Sequence, residues 1–97
     1  MYLVVSRWKA VPGKEEEFKE RGKSVRKVLR KQPGVKMLEH FETENGEVIA
    51  IHGYTNEKTY KKVVHDPKSA FNKALEQFDM DKIAKWMGSD RGVAAKS

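Results

Sequence analysis

The sequence predicts a single α+β sandwich in which four antiparallel strands and two helical segments follow one another in βαββαβ order. Three observations carry this. Residues 2–11 read YLVVSRWKAV, dense in β-branched and aromatic residues. Asn45-Gly46 joins two short apolar segments in the manner of a tight hairpin. Two longer stretches repeat apolar residues at helical spacing.

The first strand stops at Pro12-Gly13, a turn pair. Residues 14–31 then place Phe18, Val25, Val28 and Leu29 on one stripe of a helix. Gly22 falls on the same stripe and costs about 1 kcal/mol of helix propensity relative to alanine, so close packing on the sheet is expected there. Glu15, Glu16 and Glu17 open this helix; Arg26, Lys27, Arg30 and Lys31 close it, in the order that complements the helix dipole. Pro33-Gly34 ends it. Residues 35–43 and 47–55 are the hairpin strands. Thr55 or Asn56 caps a second helix that runs to about His65. Asp66-Pro67 restarts it, with Asp as N-cap and Pro at the first helical position. Ala70, Phe71, Ala74, Leu75 and Phe78 form its apolar stripe. Residues 82–87 are read as the fourth strand rather than another helical turn, because the topology needs a strand at the sheet edge. Residues 88–97 are read as a flexible tail.

At 97 residues the chain holds one domain, spanning residues 1–97. It has no cysteine, which excludes disulfides, zinc–thiolate sites, iron–sulfur clusters and a thiol nucleophile. The first apolar stretch, residues 2–5, is too short for a secretory or membrane segment, so a cytoplasmic location is expected. A net charge of +6 raises the prospect of an anionic partner, although solvated helix ends account for much of it. An RNA-binding module with the same strand order would carry K/R-G-F/Y-G/A-F on its third strand; VIAIHGY lacks it. The phosphate-cradling glycine loop of an acylphosphatase is missing after strand one. His40, His52 and His65 have no i, i+4 ligand spacing, so no metal site is expected, and no nucleotide or flavin fingerprint occurs.

Strand register assigns faces. A two-residue Asn45-Gly46 loop makes Glu44 and Glu47 partners. It sets Phe41 opposite Ala50, Glu39 opposite His52 and Met37 opposite Tyr54 on one face. Leu38, His40, Ile49, Ile51 and Gly53 take the other. Strand one divides into Tyr2, Val4, Ser6 and Trp8 against Leu3, Val5 and Val11. Helices cover only one face, and the aliphatic one suits them. Val4, Trp8, Met37, Phe41, Val48 and Tyr54 would then face water, each forgoing roughly 1.5–3 kcal/mol of burial. Such a patch implies a partner, and a two-fold homodimer with sheets packed face to face is expected. The same face carries Ser6, Glu39 and His52 among its aromatics, the composition of a small-molecule site. His52 is the expected proton acceptor and Glu39 the group that orients it. Ser6, Trp8, Phe41 and Tyr54 are expected to contact a small hydrophobic or aromatic molecule, with His65 near the mouth. A plain cross-strand His–Glu pair is the alternative.

YLVVSRWKAVPGKEEEF, the Asn-Gly hairpin and VIAIHGYTNEKTYKKVVHDPKSAF together resemble the antibiotic biosynthesis monooxygenase superfamily over residues 2–75. The resemblance implies a ferredoxin-like βαββαβ sandwich that forms a dimeric α+β barrel. It also implies a cofactor-independent monooxygenase whose aromatic or quinol-like substrate supplies the electrons. A non-catalytic, ligand-binding or stress-related dimer of the same fold is the alternative. The haem-degrading branch is similar but carries Asn, Trp and His where this chain has Ser6, Val64 or His65, and Leu75, so haem degradation is not expected.

Overall fold

The computed structural model describes residues 1–95. Strand β1 (Tyr2–Ala10) leads into helix α1 (Glu15–Arg30), then β2 (Val35–Glu42) and β3 (Glu47–Tyr54). A short helix α2 (Glu57–Tyr60) continues as one π-helical turn (Lys61–His65). Helices α3 (Ala70–Gln77) and α4 (Met80–Ile83) precede β4 (Ala84–Val93). The sheet is antiparallel with order β2-β3-β1-β4. This is the expected ferredoxin-like α+β fold, with all the helices on one side.

Local chemistry explains the element ends. The Glu15 carboxylate accepts from the Gly13 amide at 2.9 and 3.0 Å, replacing a capping side chain at α1. Gly34 ends the α1–β2 turn at φ +85°, and a side chain there would also overlap the Thr59 methyl. Asn56 caps α2 by accepting from the Thr59 amide at 2.9 Å. Asp66-Pro67 does not start the next helix. The Asp66 carboxylate turns onto the Lys68 amide (2.9 Å) and Ser69 is the true N-cap, accepting from Asn72 at 3.1 Å. The fourth strand begins at Ala84 after a single helical turn. It continues through residues 88–93, where a tail was expected, because these pair with β1 back to Tyr2. Residues 96–97 of that expected tail lie outside the described residues.

The hairpin is one residue longer than a type I′ loop. Thr43 and Glu47 are the closing pair: the Thr43 amide donates to the Glu47 carbonyl at 2.8 Å, and the Gly46 amide donates to the Thr43 carbonyl at 3.0 Å. Glu44, Asn45 and Gly46 form the loop, with Gly46 at φ +80°. The register shifts by one, and the β2 side chains from Met37 to Glu42 change face, while a further irregularity between Val35 and Met37 keeps Val35 opposite Tyr54. Leu38 now lies opposite His52, and Glu39 lies opposite Ile51. His40, opposite Ala50, shares a face with His52 rather than opposing it.

The helices cover the face expected to be open. Tyr2, Val4, Leu38 and Tyr54 pack with Phe18, Val25, Leu29, Phe71 and Met80 in one core. Arg7 and Lys9 show why: they alternate with Leu3 and Val5 on the aliphatic side of β1, whereas Tyr2, Val4, Ser6, Trp8 and Ala10 carry no charge. Burying an unpaired arginine under helices costs far more than leaving a few aliphatics half-covered. The open face therefore presents Leu3, Val5 and Ile51 half-buried, with Phe41 53% exposed.

Leu29 is 1% exposed at the centre of the core. Leu29→Ala is expected to destabilise the fold by about 2–5 kcal/mol, read as a lower urea midpoint with an unchanged slope.

Candidate functional site

A cavity of about 520 Å³ separates the sheet from the helices. Its floor follows from cross-strand register. Ala50, Ser6 and Ser89 are partners across β3, β1 and β4, so three small side chains form a trough. Val48, Trp8 and Trp86 form the next row on one side; His52, Val4 and Arg91 form the row on the other. An extra residue in β4, Met87, bulges between the Gly88 and Trp86 pairings and brings Trp86 alongside Trp8. Phe18, Gly22 and Val25 of α1 and Phe71 and Leu75 of α3 close the top. Gly22 does not pack on the sheet as expected. A Cβ there would meet only the Arg26 guanidinium within 4 Å, because the space beside it is the cavity.

His52 is the central polar group. It is 9% exposed, and its Nδ1 lies 3.1 Å from the Tyr54 hydroxyl. Burial pushes its pKa down from 6.5 to about 4, so the ring is neutral at physiological pH. Tyr54 is fully buried, and burial raises its hydroxyl well above the usual phenol range. That hydroxyl has one partner, His52. If Nδ1 carried the proton, the Tyr54 O–H would be a buried donor without an acceptor, at a cost of roughly 1–3 kcal/mol. Tyr54 therefore donates to Nδ1, and the neutral ring of His52, which lines the cavity, carries its proton on Nε2, the nitrogen away from Tyr54.

A second pair closes one end. The π-helical turn stacks residues five apart, so His65 Nε2 lies 3.1 Å from the Tyr60 hydroxyl, with ring centroids 5.1 Å apart. Tyr60 also packs on Tyr2 and Tyr54, at 5.2 and 5.5 Å. Asn72 donates to the Val64 and Asp66 carbonyls, both at 2.8 Å, tying the segment between the π-helical turn and α3 to α3.

The structure gathers Ser6, Trp8, His52 and His65 around the cavity. Tyr54 stands behind His52 as its hydrogen-bond partner. Glu39 and Phe41 are not brought in. The three-residue loop turns both to the opposite face, where they are exposed, so Tyr54 takes the orienting part expected of Glu39. Arg26, Tyr60, Asn72, Trp86, Ser89 and Arg91 also line the cavity and were not anticipated. Two left a sequence signal: Arg26 sits four residues from Gly22, and Asn72 three from Leu75, both beside an apolar stripe. Ser89 and Arg91 left none, since residues 88–97 read as a tail, and Trp86 lay in the expected strand 82–87 with no face assigned to it.

No family model matches the chain, and no curated protein matches it. Solved structures do. SnoaB, a cofactor-independent oxygenase from Streptomyces nogalater, superposes with a TM-score of 0.80 over 99% of this chain and 94% of its own, at 13% identity. An antibiotic biosynthesis monooxygenase superposes at 0.76 over 99% of this chain and 100% of its own, at 11% identity. The chain has the antibiotic biosynthesis monooxygenase fold. Rv0793 from Mycobacterium tuberculosis shares that fold at a TM-score of 0.76 and 11% identity, over 99% of this chain and 96% of its own. Within it, the positions compared above with the haem-degrading triad, namely Ser6, Val64, His65 and Leu75, all line the cavity. No group of three or more His, Cys, Asp or Glu side chains suited to a metal occurs among the described residues.

Protonating His52 opposes folding. With an ordinary value of 6.5 and a folded value of about 4, stability is full above pH 6.5 and falls as the pH drops from there through about 4. The loss is on the order of 3 kcal/mol. Urea midpoints measured from pH 7.5 to 4 are expected to show this decline, and His52→Gln to flatten it. In Tyr54→Phe the ring loses its hydrogen-bond partner among the described residues, and the ¹⁵N shifts of His52 are expected to move away from a pure Nε2–H tautomer.

Proposed function

We propose that the chain is a cofactor-independent monooxygenase that takes a small aromatic or quinol-like substrate into the cavity between sheet and helices. The observation that carries this reading is a neutral, Tyr54-anchored His52 at the floor of an otherwise largely apolar chamber. The substrate supplies the electrons that reduce O₂. Trp8 and Phe71 hold the ring system, and the trough of Ala50, Ser6 and Ser89 gives it depth. The quinol enters as its monoanion, its proton already given up to solvent, and His52 Nε2–H donates to the charged substrate oxygen from a position fixed before the reaction begins. Donation replaces the proton abstraction that the sequence alone led us to expect of His52.

Oxygen uptake on a dihydroxynaphthalene quinol tests the proposal. The wild-type chain is expected to exceed autoxidation. His52→Leu is expected to lower kcat by about 10²-fold while the fold is retained. Uptake no greater than autoxidation, with the quinol still bound, favours the second reading: a non-catalytic, ligand-binding protein of the same fold. One observation supports that alternative. Among the described residues no Asp or Glu lines the cavity, and His52 offers it a proton rather than a lone pair.

The working unit in this proposal is a homodimer that covers the open sheet face. Ile49 is already buried there, and Ile51, Leu3 and Val5 flank it half-covered. Sedimentation at micromolar concentration is expected to give a dimer, and Ile51→Glu, which places a charge in the centre of that face, a monomer.

A further inference from the structure

We propose that the cavity selects an aromatic anion, a ring system bearing a carboxylate or phenolate, and that Arg26 and Arg91 supply its counter-charge. This names the ligand class of the site described above and rests on that cavity being a ligand site. Among the described residues the wall contains two guanidinium groups and two imidazoles but no carboxylate. Neither arginine is neutralised elsewhere: the ion pairs among the described residues are Lys14–Glu17, Arg21–Glu17 and Lys82–Asp79. Arg26 is half-buried and occupies the space that Gly22 leaves open, where a Cβ would come within 3.1 Å of its Nη1. Burial and the neighbouring Arg30 cation both press on its charge. A partly desolvated guanidinium with no carboxylate partner is a site for an anion, which it grips with two parallel N–H bonds.

Arg91 comes from the opposite strand edge. Its guanidinium lies 5.8 Å from the Tyr60 ring centroid, and it shares a cross-strand row with Val4 and His52. That end of the trough holds a cation and a neutral N–H donor, while Trp8 and Trp86 flank the other end. An aromatic acid meets both requirements: rings against tryptophan, charge toward guanidinium. Arg26 is half-buried, so its charge pairing is screened less than on the surface, while the exposed Arg91 adds its charge at the rim. General attraction to a chain of charge +6 would not discriminate in this way, because Lys27 and the other exposed helix cations stand outside the cavity.

Calorimetric titration with 2-naphthoate and 2-naphthamide separates the two, since the probes share ring and outline and differ in charge. The wild-type chain is expected to bind naphthoate at least about 10-fold more tightly than the amide. Lys27→Gln is expected to keep that preference. The double variant Arg26→Gln, Arg91→Gln is expected to reduce it to about 2-fold or less, with amide binding little changed. Equal binding of the two probes by the wild type, a preference that survives in the double variant, or no binding of either probe overturns the proposal. No turnover is needed. A naphthoate preference without oxygen uptake on quinols removes the monooxygenase reading and leaves this one, and uptake without the preference does the reverse.

Discussion

The architecture turns on the absence of charge along one side of β1. Tyr2, Val4, Ser6, Trp8 and Ala10 can all go beneath helices; Arg7 and Lys9 cannot without leaving unpaired cations in the core. Once that face is turned inward, the pleat fixes the rest. β3 must present Val48, Ala50, His52 and Tyr54 to the same side, because each is the cross-strand partner of an inward β1 residue. His52 and Tyr54 are thus buried by the chemistry of a neighbouring strand rather than by their own. The hydroxyl-to-imidazole bond follows from that burial, since both side chains emerge two residues apart on one face and each needs a polar partner there.

The cavity is what remains when large and small side chains fail to fill that space. Most of the inward face meets a matching helix stripe, and Leu29, Phe18 and Phe71 share one core with Val4 and Leu38. Along the Ala50, Ser6 and Ser89 row nothing projects far enough to reach α1, and at that level α1 offers Gly22. Small residues on both facing surfaces create a void instead of a close contact. A helix interior rarely retains a glycine without a packing reason; here the reason is room for the Arg26 head and whatever it faces.

Much of this was legible in the sequence, and the failures share one cause. Element order, the Asn56 cap and the stop at Pro33-Gly34 follow from local rules that tertiary contacts did not disturb. The hairpin defeated the reading because Asn45-Gly46 suits two loops that differ by one residue. In a type I′ turn both residues are central; in the three-residue loop Gly46 alone takes the left-handed position. That single residue moved Glu39 and Phe41 away from the site and brought Leu38 in. The inverted faces came from weighing aliphatic content in β1 while passing over Arg7 and Lys9. His52, Ser6 and Trp8 still came out together, because they lie on β1 and β3, whose mutual register was independent of the error. The β4 contribution was hidden for a different reason: residues 88–93 contain little that is apolar and are held as a strand by pairing with β1 rather than by propensity.

The exchange of Glu39 for Tyr54 behind His52 changes the chemistry as well as the geometry. A carboxylate partner would hold a proton on the near nitrogen, raise the basicity of the ring and leave the far nitrogen free to accept. A buried phenol does the opposite: it can only donate profitably, so the far nitrogen keeps its proton and the ring remains a weak base. Two neutral groups can also be buried together without an ionic partner, which a histidine–glutamate pair at this depth could not easily do. The same substitution that makes His52 a poor base thus makes it a stable, pre-set donor. The only full charges left to act on a ligand are then the guanidinium groups at the cavity wall.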